Sequence, residues 1–169
     1  MKNWTFAAAL GAMICAGGGV YAQTSTQVLA QQGDWIAGSR ALTPGGAMVV
    51  CVAASDTQPS LGFIADDQGN IYILLRDSSW SFPEGAHDQV TLVMSGHTYT
   101  YSANAMSQAM MGAALTQSQL EALLGNTEAT DFIMVKTESS ASVKVTTNGA
   151  RAVLPVFMTC AGSLNPSKT

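Results

Sequence analysis

The chain has 169 residues, a formal net charge of −4 and only 11% charged residues. It contains no basic run, so it lacks the long-range attraction that nucleic acid or an anionic membrane surface would require. Its two histidines, His87 and His97, show no H-x-x-x-H or similar ligand spacing, and neither a metal nor a cofactor is expected.

The first residues read as an export signal. Met1-Lys2-Asn3 gives a short basic start, and the apolar stretch Phe6 to Val20 (FAAALGAMICAGGGV) follows. Val20 and Ala22 occupy the two positions that signal peptidase reads, which predicts cleavage after Ala22. The stretch falls short of the roughly 20 apolar residues of a membrane-spanning helix and is rich in glycine. Ala12-Met13-Ile14 before Cys15 does not fit a lipoprotein signal, because isoleucine is too bulky beside a lipid-anchored cysteine. The expected organisation is a signal peptide over 1–22, a flexible lead-in over 23–32, one β-rich domain over 33–162 and a polar tail over 163–169. The expected location is periplasmic or secreted, with no membrane span after cleavage. Losing Lys2 makes the mature chain one charge unit more acidic.

Export leaves Cys51 and Cys160, and in an oxidising compartment an even pair is most simply a disulfide. Closing so long a loop stabilises by about 4–5 kcal/mol on the chain-entropy model, comparable to the whole stability of a small domain. An intermolecular bridge stays open as an alternative. A redox pair is disfavoured because no C-x-x-C is present.

Order is expected from Gly33-Asp34-Trp35. Ala47 to Ala54 (AMVVCVAA) is a short valine-rich run with turn residues on both sides, which predicts a buried strand carrying Cys51. Leu61–Ala65 and Ile71–Leu75 flank the turn signal Asp66-Asp67-Gln68-Gly69-Asn70 and predict a hairpin. A second hairpin is expected where Val90, Leu92 and Met94 alternate with polar residues, Ser95-Gly96 turns, and Thr98–Tyr101 returns. Ala103–Leu115 is rich in Ala and Met and reads as helical. Thr116-Gln117-Ser118-Gln119 has capping-box spacing, Leu120, Leu123 and Leu124 follow at helical intervals, and Gly125 is placed to end the helix. Phe132–Lys136 and Ser142–Thr146 read as two more strands.

The last element, Gly149 to Cys160 (GARAVLPVFMTC), puts Ala150, Val153, Leu154, Phe157 and Cys160 on one face of a helix, with Asn148 as N-cap. Pro155 removes the bond to the Arg151 carbonyl and is expected to kink the helix or delay its start. The fold class that follows is mainly β (α+β), an antiparallel β-sandwich or barrel with one or two short helices, including a C-terminal one.

Chemistry is sparse. His87-Asp88 could form part of a nucleophile triad, but no G-x-S-x-G accompanies it. Asp66 to Asn70 lacks the calcium-loop pattern and its closing glutamate. A non-enzyme is expected. The aromatics offer more. Trp80, Phe82, Glu84 and His87 in DSSWSFPEGAHD (77–88) form the candidate recognition loop, and His97, Tyr99 and Tyr101 share one face of a strand. The competing reading is that these aromatics fill the core. Met106, Met110 and Met111 read as gap-filling core or a loosely packed lid.

Taken in order, these landmarks resemble the invasion-associated locus B family of exported proteobacterial proteins. The shared features are Gly33-Asp34-Trp35 near the mature start, the strand around Cys51, and Ser79-Trp80-Ser81-Phe82-Pro83-Glu84-Gly85 before a strand. The leucine helix Thr116–Leu124 and the closing Gly149–Leu154 complete them. That family has a further cysteine pair in mid-chain, including a Gly-Cys step, which this sequence lacks. The resemblance implies a mainly β, periplasmic or secreted domain without a known catalytic site, associated with host-cell interaction. The expected function is therefore a non-catalytic binding or interaction domain of the bacterial envelope, with a protein or glycan of the envelope or host surface as partner. The alternative is an inhibitor or immunity protein that blocks an envelope hydrolase such as lysozyme or a protease by inserting a loop.

Overall fold

A computed structural model describes residues 26–42, 49–83, 85–127 and 130–164. The expected signal peptide, Glu84 and the end of the expected polar tail lie outside these residues. Ten strands and two helices follow in chain order: β1 (Thr26–Gln32), β2 (Trp35–Ala41), β3 (Val49–Ser55), β4 (Ser60–Asp66), β5 (Ile71–Arg76), β6 (His87–Met94), β7 (His97–Ser107), β8 (Met110–Leu115), α1 (Gln117–Thr127), β9 (Phe132–Thr137), β10 (Val143–Thr146) and α2 (Ala150–Leu164). The strands form one sheet in the order β1-β2-β3-β4-β5-β8-β7-β6-β9-β10. Every neighbouring pair is antiparallel.

The mainly β, antiparallel fold with a C-terminal helix is as the sequence predicts, but a closed barrel does not form, since β1 and β10 end the strand order without pairing. The two ends nevertheless approach each other at one corner. The Asp34 amide donates to the Asn148 carbonyl at 2.9 Å, and Trp35 Nε1 donates to the Thr146 carbonyl at 2.9 Å. The twist that accumulates along a sheet of this width brings its ends round in this way.

Period-two alternation sends one face of each strand inward. Trp35, Cys51, Phe63, Ile73, Met111 and Leu92 are all essentially inaccessible on that face, and both helices lay their apolar stripes on it. Leu120, Leu123 and Leu124 come from α1, and Ala150, Val153, Leu154 and Phe157 come from α2. A second, smaller apolar cluster of Ile36, Val50 and Val52 occupies the opposite face.

Local chemistry fixes the turns. The Asp66 carboxylate accepts the Asn70 side-chain amide at 2.9 Å and the Gln68 and Asn70 backbone amides at 3.0 and 2.8 Å, and Gly69 supplies φ +82°. Burial alone would raise the Asp66 pKa, but these bonds outweigh it and hold the carboxyl below its ordinary value. Ser95 and Gly96 both take positive φ, as the two-residue turn of the second hairpin demands. The capping box forms: Gln119 N donates to Thr116 Oγ1 at 3.2 Å, and Thr116 N donates to Gln119 Oε1 at 2.8 Å.

Five expectations are corrected. Within the expected flexible lead-in, Thr26–Gln32 is a strand, because its backbone pairs with β2 and α2 packs against it. Ala103–Leu115 is strand, not helix: Tyr101, Ala103 and Ala105 alternate inward, as do Met111, Ala113 and Leu115, and cross-strand pairing overrides alanine's helix propensity. Helix α1 passes Gly125 and ends at Thr127, where Asn126 Nδ2 and Thr127 Oγ1 bond the Ala122 and Leu123 carbonyls. Helix α2 runs through Ser163 to Leu164, with Pro155 inside its early turns.

The cap of α2 is Gly149, not Asn148. The Gly149 carbonyl accepts the Ala152 and Val153 amides at 3.1 and 3.3 Å, with φ +95°. The Asn148 side chain instead bonds Asp34 Oδ2 at 3.3 Å. A Cβ at Gly149 would stand 1.8 Å from the Gln32 carbonyl oxygen, so the helix starts in direct contact with β1. Gly149→Ala should therefore destabilise the protein by at least about 2 kcal/mol in urea denaturation, from backbone strain plus the displaced contact. A change under about 0.5 kcal/mol would contradict this helix start.

Candidate functional site

Of the segment 77–88, expected to hold an exposed recognition loop, residues 77–83 and 85–86 are drawn inward. Asp77 N bonds the Ala109 carbonyl at 3.0 Å, Phe82 N bonds the Gln108 carbonyl at 2.9 Å, and Gly85 N bonds the Ala105 carbonyl at 3.2 Å. These bonds run along the β7–β8 hairpin and lay the segment over the core. The Asp77 carboxylate takes the Ser79 amide at 2.7 Å and the Ser79 hydroxyl, and so tightens the turn. Trp80 and Phe82 are 5% and 3% exposed, with ring centroids 5.3 Å apart and edge to face. Burying both rings gains far more than displaying them.

His87 is exposed at the start of β6, opposite Asn104. It does not form a catalytic pair with Asp88, whose carboxylate is committed elsewhere. Asp88 accepts the Glu138 and Ser139 amides at 3.1 and 3.2 Å, the Ser139 hydroxyl, and the Gln89 amide at 2.7 Å. Burial alone would raise the Asp88 pKa, but these bonds hold the carboxyl below its ordinary value. Its work is to fasten the β9–β10 turn to β6.

The strand face of His97, Tyr99 and Tyr101 grades from exposed to buried. His97 stacks on Tyr99 at 6.4 Å, and the Tyr99 hydroxyl meets Asn126 and the Ala122 carbonyl of α1. Tyr101 lies in the core, where burial, helped by Tyr99, pushes its phenol up to about 12. Met110 and Met111 fill the core as expected, whereas Met106 is half exposed and covers Gly112. Asp34 and Asp56 face each other at the sheet corner, and burial followed by the Asp34 charge raises the Asp56 carboxyl. Among the described residues, no group of three or more His, Cys, Asp or Glu could hold a metal ion.

Cys51 and Cys160 are joined within the chain, with their Cα atoms 5.9 Å apart across a separation of 109 residues. The intermolecular alternative therefore falls. Beside this bond lies an open groove of about 510 Å³ between α2 and the edge of the sheet. Leu29, Ser39 and Val49 form its sheet wall, and Val156, Cys160 and Leu164 form its helix wall. Thr159 and Ser163 complete the lining, but their hydroxyls bond back to the Pro155 and Cys160 carbonyls. Among the described residues, none that lines the groove is charged. Leu29, 39% exposed, carries the apolar lining onto β1, whose register shifts between Val28 and Ala30.

No family model, curated protein or solved structure matches this chain. The candidate site therefore rests on its own geometry. The sequence carries one signal for it that the aromatic residues obscure: Val156, Cys160 and Leu164 repeat at intervals of four, a second apolar stripe beside the one that fills the core.

If Trp80 is core, Trp80→Ala should cost about 3–5 kcal/mol in equilibrium unfolding. Near-normal stability would return Trp80 to the surface and restore the recognition loop.

Proposed function

We propose that the mature protein is an exported, non-catalytic interaction domain that receives an apolar segment of a protein partner in the groove between α2 and β1. The supporting observation is the groove itself, a concave surface with no charge among its described lining residues and with Leu29 exposed at its sheet wall. Concave apolar sites bury an apolar side chain efficiently, and such anchors supply most of the energy of an interface. A protein segment fits this lining better than a glycan, because none of its described residues is an aromatic ring on which a sugar could stack.

The compartment we propose is the periplasm or the cell exterior. The intramolecular disulfide agrees with it, since such bonds persist in oxidising surroundings. The resemblance to the invasion-associated locus B family points the same way and favours a partner of the envelope or a host surface. The loop-inserting inhibitor reading gains no support from segment 77–88, whose aromatics Trp80 and Phe82 are enclosed.

Affinity chromatography of an envelope extract over immobilised mature protein, beside a Leu29→Arg column, tests the proposal. Leu29 is partly exposed, so the charge is tolerated by the fold but placed in the apolar mouth of the groove. A polypeptide retained by the wild type should be lost from the variant while the melting temperature stays unchanged. Equal retention on both columns would contradict the assignment.

A further inference from the structure

We infer that the groove makes Cys160 a thiol-modification site, at which a small uncharged monothiol opens the disulfide from one end only. The two sulfurs have unequal surroundings. Cys51 is wholly inaccessible in mid-strand β3, flanked by Ser39 of β2 and Ala65 of β4. Cys160 is half-buried on α2 and forms part of the groove wall.

Exchange requires a thiolate to approach a disulfide sulfur and displace the other. In the native fold the groove gives that approach to Cys160. The incoming thiolate forms a new S–S bond to Cys160 Sγ, and the Cys51–Cys160 bond breaks. The electron pair leaves on Cys51 Sγ, which then takes a proton from solvent. The product is Cys160 in a mixed disulfide and Cys51 as a buried thiol. The step needs no oxidant, and a second thiol would complete the reduction.

Leaving-group chemistry opposes this choice. A thiolate released in an apolar interior is a poorer leaving group than one released at the groove, which slows attack at Cys160 by about one or two powers of ten. Attack at Cys51 requires α2 to leave the sheet first. Detaching a helix that buries Val153, Leu154 and Phe157 suppresses the open form by more than about a thousandfold. Access therefore decides the site. The described lining residues carry no charge, which favours a neutral thiol over an anionic one such as glutathione.

The test exposes oxidised mature protein to 2-mercaptoethanol under native conditions, quenches with acid, and maps the adduct by mass spectrometry after alkylation in denaturant. At least about tenfold more adduct on Cys160 than on Cys51 is expected. An excess on Cys51, or equal amounts, would overturn the inference. Where Cys51 recloses the bond too fast for any adduct to accumulate, two single-cysteine variants decide. Iodoacetamide should alkylate Cys160 in folded Cys51→Ala at least about tenfold faster than Cys51 in folded Cys160→Ala, in which loss of the bond itself loosens α2. Equal rates would overturn it.

Discussion

Helix α2 brings Phe157 onto Phe63 and Cys160 onto Cys51, and the inner face of the sheet depends on both contacts. The first is part of a line of rings. Trp35 stacks on Phe63 at 6.5 Å, and Phe63 meets Phe157 at 6.2 Å, so β2, β4 and α2 share one aromatic axis. The second contact is covalent and ties the last element to a central strand of the first half of the sheet. A ten-stranded sheet whose ends do not pair needs such closure, since otherwise the β1–β4 end would present its apolar face to water. The corner bonds from Asp34 and Trp35 to residues 146–148 position the start of the helix, and Gly149 permits its close contact with β1.

Much of this was legible in the sequence wherever a local rule and the tertiary structure agree. The hairpin turns at Asp66–Asn70 and Ser95-Gly96, the capping box at Thr116, the amphipathic face of the last helix and the cysteine pair each carry their own physical signal. The misreadings occur where tertiary contacts override local preference. Ala103–Leu115 has helix-forming composition, but its strands are flanked by β5 and β6 and take the sheet's period. The polar Thr26–Gln32 has little inward pattern to betray a strand, and it is held by backbone pairing to β2. Asn148 looks like a cap because its type is right, yet the carboxylate of Asp34, distant in sequence, claims its side chain.

The same distinction explains the site. Trp80 and Phe82 lie in a turn-rich stretch, which suggests exposure, but the hydrogen bonds that turn them inward come from residues 105–109 on a later hairpin. No reading of DSSWSFPEGAHD alone could supply those partners. The groove was legible only as the Val156-Cys160-Leu164 stripe, because its opposite wall comes from β1, β2 and β3. The irregularity in β1 breaks the regular pairing of an edge strand at Leu29, the residue that β1 contributes to the groove. The groove and the disulfide are thus one structure, since the helix that the bond anchors is also the groove's wall.

Hydrogen exchange of the α2 amides, compared between oxidised and reduced protein, tests this dependence most directly. If the Cys51–Cys160 bond holds the helix on the sheet, reduction should speed exchange from Val156 to Leu164 by at least about a hundredfold, with much smaller changes in β6, β7 and β9. Unchanged protection of α2 after reduction would contradict the account, because the helix and its groove would then stand without the bond.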